Sequence, residues 1–169
     1  MKIKNIQIIE VVGALAVVTS LIFVGMQLML DRRVAIAGQY FNRAEAQRAD
    51  MRVLMESDVY FEVQEERWSR GKRPLWWNEE VAAEITPLIE NGIMSVKEFS
   101  LEELRAQNGV TAFDNLYFQY KQGLLNEEDW GIYRQMMKRR MDRNAIDKAV
   151  LVNDSRPIRK IVQEILDEL

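Results

Sequence analysis

The neighbouring carboxylates of Glu127, Glu128 and Asp129 are the side chains of this sequence best placed for acid–base chemistry. They follow Asn126, a residue type that commonly caps a helix, and carboxylates in a first helical turn are stabilised by the helix dipole. Capping therefore accounts for them without catalysis. The 169 residues include no His and no Cys, which excludes imidazole bases, serine and cysteine triads, and the usual zinc sites. We predict that the protein is not an enzyme and has no catalytic, metal-binding or cofactor-binding residues.

Charge is segregated along the chain into an acidic and a basic segment. Residues 79–104 carry seven Glu against one Lys, and residues 134–143 carry five Lys or Arg against one Asp. Carboxylates could bind a hard cation, but no loop of the acidic segment has the spacing of metal ligands. The basic segment could contact anionic lipid headgroups or an acidic partner through Lys138, Arg139, Arg140 and Arg143, or it could be a solvated face. The net charge of −3 predicts no general affinity for nucleic acid.

An apolar stretch near the N-terminus, residues 11–30 (VVGALAVVTSLIFVGMQLML), is the longest uncharged part of the chain. Only Thr19, Ser20 and Gln27 are overtly polar within it. Twenty helical residues span about 30 Å, the thickness of the hydrocarbon core of a bilayer. We therefore predict one transmembrane helix, with residues 1–33 as the anchor and its flanks and residues 34–169 as a helical soluble domain. The alternative is a buried helix of a soluble protein, although such helices seldom run this long without a charge.

The flanks of the apolar stretch bear on its processing and its orientation. A cleaved signal peptide is a further alternative, because Lys2 and Lys4 precede the stretch and residues 35–37 (AIA) resemble a cleavage site. The stretch is longer, however, than the roughly 7–15 apolar residues of a signal peptide, and charged residues separate it from that site. Positive charges are more numerous after the stretch than before it. This asymmetry predicts a cytoplasmic C-terminal domain in a bacterial inner membrane.

Small and polar residues of the apolar stretch recur at three- and four-residue steps. The positions that share this helix face, here called the stripe, are Glu10, Gly13, Ala16, Ser20, Phe23, Gln27 and Leu30. Small residues let two membrane helices approach closely, and polar residues form hydrogen bonds across the contact. The stripe therefore predicts a membrane-helix contact whose candidate residues are Glu10, Gly13, Ala16, Ser20 and Gln27.

The register of the stripe continues beyond the predicted membrane segment. The apolar positions in that register are Val34, Ala37, Phe41, Ala44, Met51 and Met55, and Arg48 interrupts them. No Pro occurs between residues 5 and 57, so one continuous helix of about fifty residues is predicted. Its outer part either packs on its own domain or takes part in self-association.

Five or six shorter helices and no strand are predicted after the long helix. The residues expected at helix ends are the N-caps Asn78, Ser100 and Asn126 and the terminal glycines Gly71, Gly92 and Gly123. Ser100 has Glu103 three residues later, which is the spacing of a capping box. The dipeptide Asn108-Gly109 leaves open whether residues 100–123 form one helix, and a short helix is expected at residues 145–152. The fold class is all-α: a single transmembrane helix continuing into a long helix, followed by a small helical domain.

The segment FDNLYFQYKQGLL at residues 113–125, followed by Glu127, Glu128 and Trp130, resembles the signature of a family of small uncharacterised bacterial membrane proteins. That signature is similar to N-x-x-Y-Q-Y-x-x-G-L-L and precedes an acidic turn and a Trp, and the proteins begin with one transmembrane helix. The resemblance covers residues 1–40 and 113–168. It departs at Phe118, where Tyr is usual, and at Asn108-Gly109. It implies a bacterial inner-membrane protein without an assigned activity, and it supplies no catalytic residues.

The helix that carries this signature is expected to have two different faces. Residues on the core side are Phe113, Leu116, Tyr117, Tyr120 and Leu124. The amides on the opposite side, with the ring beside them, form a candidate interaction surface consisting of Asn115, Phe118, Gln119 and Gln122. The alternative is a solvated face that makes one or two hydrogen bonds to another helix.

These patterns favour a membrane-anchored helical interaction protein, either a homo-oligomer or an accessory subunit of a membrane assembly. Its expected partners are the lipid bilayer, a second copy or another membrane protein, and anionic lipid headgroups. The alternative function is a small homo-oligomeric channel or transport component lined by Glu10, Ser20 and Gln27. A pore would need several copies of the chain, because only one membrane span is predicted.

Overall fold

The computed structural model describes residues 2–74, 77–152 and 156–168. Within these ranges every regular element is an α-helix, which confirms the all-α prediction and the long first helix. The helices are α1 (Lys2–Met55), α2 (Asp58–Ser69), α3 (Glu79–Glu90), α4 (Val96–Lys121), α5 (Glu127–Arg143), α6 (Ala145–Val152) and α7 (Arg159–Leu166).

The chain divides into two compact units, Met1–Gln39 and Tyr40–Leu169. The first unit consists of the N-terminal part of α1. In the described part of the chain, α1 is the one helix long and apolar enough to cross a membrane, and its most apolar stretch is not buried. The uninterrupted run of apolar residues without Pro explains why this helix does not break. The prediction of a single candidate membrane helix is therefore confirmed in length and composition.

The predicted helix ends follow from local hydrogen bonds and glycine conformation. Asn78 and Asn126 each accept a hydrogen bond from the backbone N–H three residues later, at 2.9 and 2.8 Å, and so cap α3 and α5. After α2, α3 and α4, the residues Gly71, Gly92 and Gly123 have φ angles of 73°, 69° and 72°. This left-handed conformation ends a helix and is accessible to Gly without steric strain.

The start of α4 differs from the prediction that Ser100 caps it. Ser95 is the N-cap: its hydroxyl accepts a hydrogen bond from the Glu98 N–H at 3.1 Å, and the Glu98 carboxylate accepts one from the Ser95 N–H at 2.7 Å. The hydrogen bonds that the Ser95 N–H and then the Ser95 hydroxyl donate to this carboxylate lower the pKa of the Glu98 carboxyl. Both Ser95–Glu98 and Ser100–Glu103 have the spacing of a capping box. α3 ends at Glu90 and the turn at Gly92 follows it, so Ser95 is the first of the two serines available to start the next helix. Ser100 and Glu103 then lie within α4, where both are buried.

α4 continues through Asn108 and Gly109 as one helix of 26 residues. Gly109 lies under the guanidinium of Arg140 in α5, and a Cβ atom at this position would come within 1.9 Å of Arg140 Nη1. The same guanidinium forms an ion pair with Asp147 of α6. Glycine lowers helix propensity by about 1 kcal/mol relative to Ala, but here it allows the Arg140 side chain to lie directly against the α4 backbone.

Substituting Gly109 by Ala should destabilise the protein by about 1–3 kcal/mol in spite of the better helix propensity, because the new methyl group displaces a guanidinium that Asp147 holds in place. Gly131 of α5 is the matched control, since a Cβ there meets no heavy atom within 4 Å. Gly131→Ala should be neutral or stabilising by up to about 1 kcal/mol. Urea unfolding followed by near-ultraviolet circular dichroism measures both, because all four Trp residues lie in the second unit. Equal effects of the two substitutions would contradict this explanation.

The core of the second unit forms around α4, which contacts α2, α5 and α6. Of the five α4 residues predicted on the core side, Phe113 and Tyr117 are buried, and the others, Leu116, Tyr120 and Leu124, are half-buried. From α5, Trp130 and Met137 are buried in the same core. The Trp130 ring packs nearly parallel to Tyr120 with centroids 5.2 Å apart, and it meets Tyr117 at 5.5 Å. Aromatic packing of this kind fixes α5 against the last turns of α4.

A second aromatic cluster joins α2 to the start of α4. The Trp68 and Trp77 rings pack edge to face at 5.5 Å, and Phe99 lies 5.7 Å from Trp68 and 5.5 Å from Trp77. Phe99 is buried, while the two indoles are partly buried and pack against the core. The cluster therefore positions the end of α2 and Trp77 against α4.

Candidate interaction surfaces

The stripe lies on the part of α1 that belongs to the first unit. Side chains at residues 10–36 are exposed all around the helix. A Cβ atom added at Gly13 would meet no heavy atom within 4 Å, so the helix backbone is open to close approach there. Thr19 satisfies its hydroxyl within the helix by donating to the Leu15 carbonyl oxygen at 2.8 Å. The membrane-contact residues predicted from the sequence thus share an accessible face of one unbroken helix.

The continuation of the stripe in the second unit is partly buried. Ala44 and Met51 are 6% and 7% exposed, whereas Phe41 remains 46% exposed. Arg48, which interrupts the apolar register, donates to the Asn108 amide oxygen of α4 at 2.7 Å and pairs with Glu45 at 2.6 Å. The outer end of α1 therefore packs on its own domain, which was one of the two predicted alternatives.

The candidate surface on α4 lies against this part of α1. Phe118 stacks on Tyr40, with ring centroids 4.1 Å apart and planes 4° from parallel. Asn115 is 7% exposed, and its amide oxygen accepts a hydrogen bond from Gln119 Nε2 at 3.4 Å. Gln122 is the C-cap residue of α4. The structure thus brings Asn115, Phe118 and Gln119 together beside Tyr40 and places Gln122 at the end of the helix.

A buried polar face of α4 is the main feature that the sequence reasoning missed. Its residues recur at three- and four-residue steps and are Ser100, Glu103, Gln107, Thr111 and Asp114; all except the half-buried Gln107 are buried. The sequence does contain a signal for this face, because five polar residues share one side of a helix whose neighbouring side is apolar.

The C-terminal half of this polar face is tied to other elements by hydrogen bonds. Asp114 accepts one from the Tyr40 hydroxyl and one from the Ile158 backbone N–H, the latter at 3.3 Å. Thr111 accepts one from the Arg156 guanidinium at 2.9 Å. Buried polar groups are stable when such partners are present. This half of the face therefore joins α1, α4 and the start of α7.

Two of the basic residues predicted to meet lipid or an acidic partner are engaged within the domain. Arg140 pairs with Asp147, and its guanidinium carbon lies 5.9 Å from the centre of the Phe113 ring. Lys138 lies 3.5 Å from Glu168. Arg139 and Arg143 are exposed, and neither forms an ion pair with any described residue. The second pair of basic residues is thus the more accessible one.

The C-terminus is attached to α5 by charge. Arg134 lies 2.6 Å from Glu168, and this hydrogen bond raises the pKa of the Arg134 guanidinium and lowers the pKa of the Glu168 carboxyl. Because the carboxyl has a lowered pKa in the folded protein, its contribution to stability is present above its unfolded pKa and is lost as the pH falls through the folded value. Glu168 is exposed and Arg134 is only half-buried, so the contribution of the pair is small.

The outward side of α5 combines apolar and basic side chains. Ile132 and Met136 are 56% and 48% exposed, and Arg139 and Arg143 lie on the same side of the helix, seven residues after each of them. Of the acidic residues at the start of α5, Glu128 is exposed and lies beside Ile132 and Met136, whereas Glu127 has a structural contact. Glu127 accepts a hydrogen bond from the Tyr120 hydroxyl, which raises the pKa of that phenol. Ile132, Met136, Arg139 and Arg143 are called the outer face below.

No protein-family model, no curated protein and no solved structure matches this chain. The resemblance of residues 113–125 to the signature of small bacterial membrane proteins accordingly stays a prediction. In the structure, the signature residues serve packing: Tyr117 and Tyr120 meet Trp130, and Phe118 meets Tyr40. The function of this chain is therefore inferred from its surfaces.

Proposed function

We propose that this protein is a single-pass protein of the bacterial inner membrane whose helical domain acts by binding other proteins, as a homo-oligomer or as an accessory subunit of a membrane assembly. The observation that supports the proposal is the apolar surface of α1. The large apolar side chains at residues 11–30 are each 46–66% exposed. Transferring one such side chain from water into an apolar environment is favourable by about 1.5–3 kcal/mol, so a bilayer is the environment in which this surface is stable.

The stripe is the proposed contact with a second copy or another membrane protein. A bilayer covers large apolar side chains as well as a protein does, so helices associate in it through close packing and polar contacts. Gly13, Ala16 and Ser20 provide small side chains on one face of α1, and Gln27 provides an amide. No other face of the apolar stretch has this combination.

The outer face of α5 is the proposed contact with anionic lipid headgroups. Exposed apolar side chains beside Lys or Arg are typical of helices that lie at a membrane surface. Each basic residue close to an anionic leaflet contributes about 1 kcal/mol of attraction. Arg139 and Arg143, with Ile132 and Met136 beside them, fit this pattern, whereas Arg140 is engaged with Asp147.

We expect the C-terminus to face the cytoplasm, because Arg32 and Arg33 lie just after the apolar stretch, behind Asp31, and favour the cytoplasmic side. A C-terminal green fluorescent protein fusion should fluoresce in cells, and a C-terminal alkaline phosphatase fusion should be inactive. As a control, Arg32→Glu with Arg33→Glu removes the positive flank and should raise phosphatase activity. A bright phosphatase signal from the unaltered chain would reverse the orientation, and release of the protein from membranes by alkaline carbonate would contradict the anchor itself.

A further inference from the structure

A pocket of about 270 Å³ lies between α2, residues 72–74 and the first half of α4. Its wall includes Tyr60 and Trp68 of α2 and the buried Glu103 of α4, and its rim includes Arg67 and Lys72. The volume lies near the lower end of the range for ligand pockets, roughly 300–1,000 Å³. A pocket of this size suits a small molecule rather than a cofactor or a peptide.

The end of α2 brings the basic residues to the rim. The Gly71 N–H donates to the Trp68 carbonyl oxygen and the Lys72 N–H donates to the Arg67 carbonyl oxygen, both at 2.9 Å. This pair of hydrogen bonds is a Schellman motif, with Gly71 in the left-handed conformation. The chain therefore turns back sharply, so that Lys72 and the following Arg73 lie beside the last turn of α2.

Three cations surround the mouth of the pocket. The Arg73 guanidinium lies 3.6 Å from the centre of the Trp68 ring and donates to the Trp68 carbonyl oxygen at 3.1 Å. Arg67 and Lys72 are exposed, and no described residue forms an ion pair with either of them. Arginine and lysine in such a cluster are suited to bind a phosphate or a carboxylate.

One carboxylate of opposite sign lies deeper in the same pocket. Glu103 is 9% exposed, and Gln107 donates to its Oε1 atom at 3.2 Å. The Tyr60 phenol lies near both signs of charge: burial and then Glu103 raise the pKa of Tyr60, and Arg67 lowers it. The pocket is therefore positive at its mouth and negative further in, with aromatic rings between.

This arrangement favours ligands that carry both charges. An anion without a cationic group makes no favourable contact with Glu103, and a bare cation would be repelled by the cluster of Arg67, Lys72 and Arg73. A ligand with an anionic group at one end and an N–H-bearing cationic group at the other satisfies both regions. We propose that this pocket binds a small zwitterion in which a phosphate group, held by Arg67, Lys72 and Arg73, is joined to a primary ammonium group that donates to Glu103.

This chemistry occurs both in free phosphoamines and in the phosphoethanolamine headgroup of a lipid. Binding to the full chain in mild detergent at low salt should be measured by calorimetry with phosphoethanolamine, phosphocholine and inorganic phosphate as probes. Phosphocholine carries the same phosphate but no N–H on its nitrogen. A hydrogen bond to a charged group is worth about 1.5–3 kcal/mol, so phosphoethanolamine should bind at least about tenfold more tightly than either comparison probe.

Two variants test the two ends of the pocket separately. Glu103→Gln should reduce the preference for phosphoethanolamine over phosphocholine to about threefold or less, while leaving inorganic phosphate bound at least as well. Arg67→Gln with Lys72→Gln should weaken all three probes by about tenfold or more. Both of these residues are exposed, so this double variant is expected to fold even if Glu103→Gln does not. Arg105→Gln is the matched control, since Arg105 is an exposed cation of α4 that does not line the pocket.

Vesicles distinguish the two sources of the ligand. In phosphatidylcholine vesicles that also contain phosphatidylethanolamine, loss of binding of the free probe would support the lipid headgroup as the source, and unchanged binding would support a free phosphoamine. Equal affinity of the unaltered chain for the three probes, absence of any measurable binding, or insensitivity to the Arg67 and Lys72 substitutions would each overturn the proposal.

Discussion

Replacing Gly13 and Ala16 together by Leu should dissociate the homo-oligomer or release the partner of this protein, while the helical domain stays folded. The two substitutions add bulk where close approach of helices requires small side chains. Leu is apolar and has a high helix propensity, so α1 should stay helical and insert into the membrane as before. Native gel electrophoresis of mild-detergent extracts, together with identification of co-purifying proteins, measures the loss of assembly.

The matched control for this variant is Val18→Leu with Ile22→Leu. Both residues are as exposed as the stripe residues, but they lie on the opposite side of α1, and their replacement should leave the assembly intact. Gln27→Leu distinguishes the alternative function. An accessory subunit should keep its partner, because one hydrogen bond in a membrane contributes about 0.6 kcal/mol on average. A conducting oligomer would instead lose or change its ion flux in liposomes, since a polar group leaves the pore wall. Dissociation by both double variants alike would show that the stripe has no special role.

Substituting Arg140 by Met should destabilise the helical domain by about 2–4 kcal/mol, because it leaves the carboxylate of Asp147 without its ion-pair partner. Asp147 is 8% exposed, and the guanidinium donates to both of its carboxylate oxygens. Met has an apolar side chain similar in length to the stem of Arg, so little cavity is created. The loss of stability therefore measures the removal of the ion pair. Urea unfolding of the full chain, followed by near-ultraviolet circular dichroism, measures the change.

Arg139→Met is the control for this prediction, and it should change the free energy of unfolding by less than about 0.5 kcal/mol. The two arginines are adjacent in the sequence, but Arg139 is exposed and makes no ion pair within the described residues. Combining Arg140→Met with Asp147→Leu should recover part of the loss, because an unpaired buried charge is removed. Equal losses for Arg139→Met and Arg140→Met would contradict the assignment of a structural role to Arg140.

Local signals in the sequence predicted most of the helix boundaries. The N-caps Asn78 and Asn126 and the helix-ending Gly71 act through hydrogen bonds and backbone angles within a few residues, so their effect can be read without the fold. The start of α4 was predicted wrongly because Ser95–Glu98 and Ser100–Glu103 satisfy the same rule. Gly92 was itself predicted to end the preceding helix, and Ser95 follows it by three residues, so the correct start could have been chosen from the sequence.

Contacts between distant helices could not be predicted in the same way. Gly109 would weaken an isolated helix, and its place inside α4 makes sense only when the Arg140 side chain of α5 lies against it. The buried polar face of α4 was likewise visible as a spacing, but the partners of its residues, Tyr40 and Arg156, are at least 45 residues away. Tertiary hydrogen bonds of this kind have no local signature.

The candidate surfaces likewise differ in whether they depend on local sequence or on contacts between distant helices. The stripe follows from helical periodicity within one continuous element, and the structure leaves it accessible as expected. The basic segment was predicted as one contact, but ion pairs with Asp147 and Glu168 engage Arg140 and Lys138. Only the three-dimensional positions of these carboxylates show which basic side chains remain at the surface of α5.

Position-specific photo-crosslinking in native membranes tests the proposed contact through the stripe most directly. A photoreactive phenylalanine derivative is introduced singly at Phe23 and Leu30, which lie on the stripe, and at their neighbours Ile22 and Met29, which lie off it. All four side chains are 55–66% exposed in the isolated chain, so exposure alone gives no reason for them to differ. We expect crosslinks to a second copy or to another membrane protein at Phe23 and Leu30 and not at Ile22 and Met29. Equal yields at all four positions, or crosslinks at Ile22 and Met29 alone, would contradict the proposal that this face of α1 is the contact.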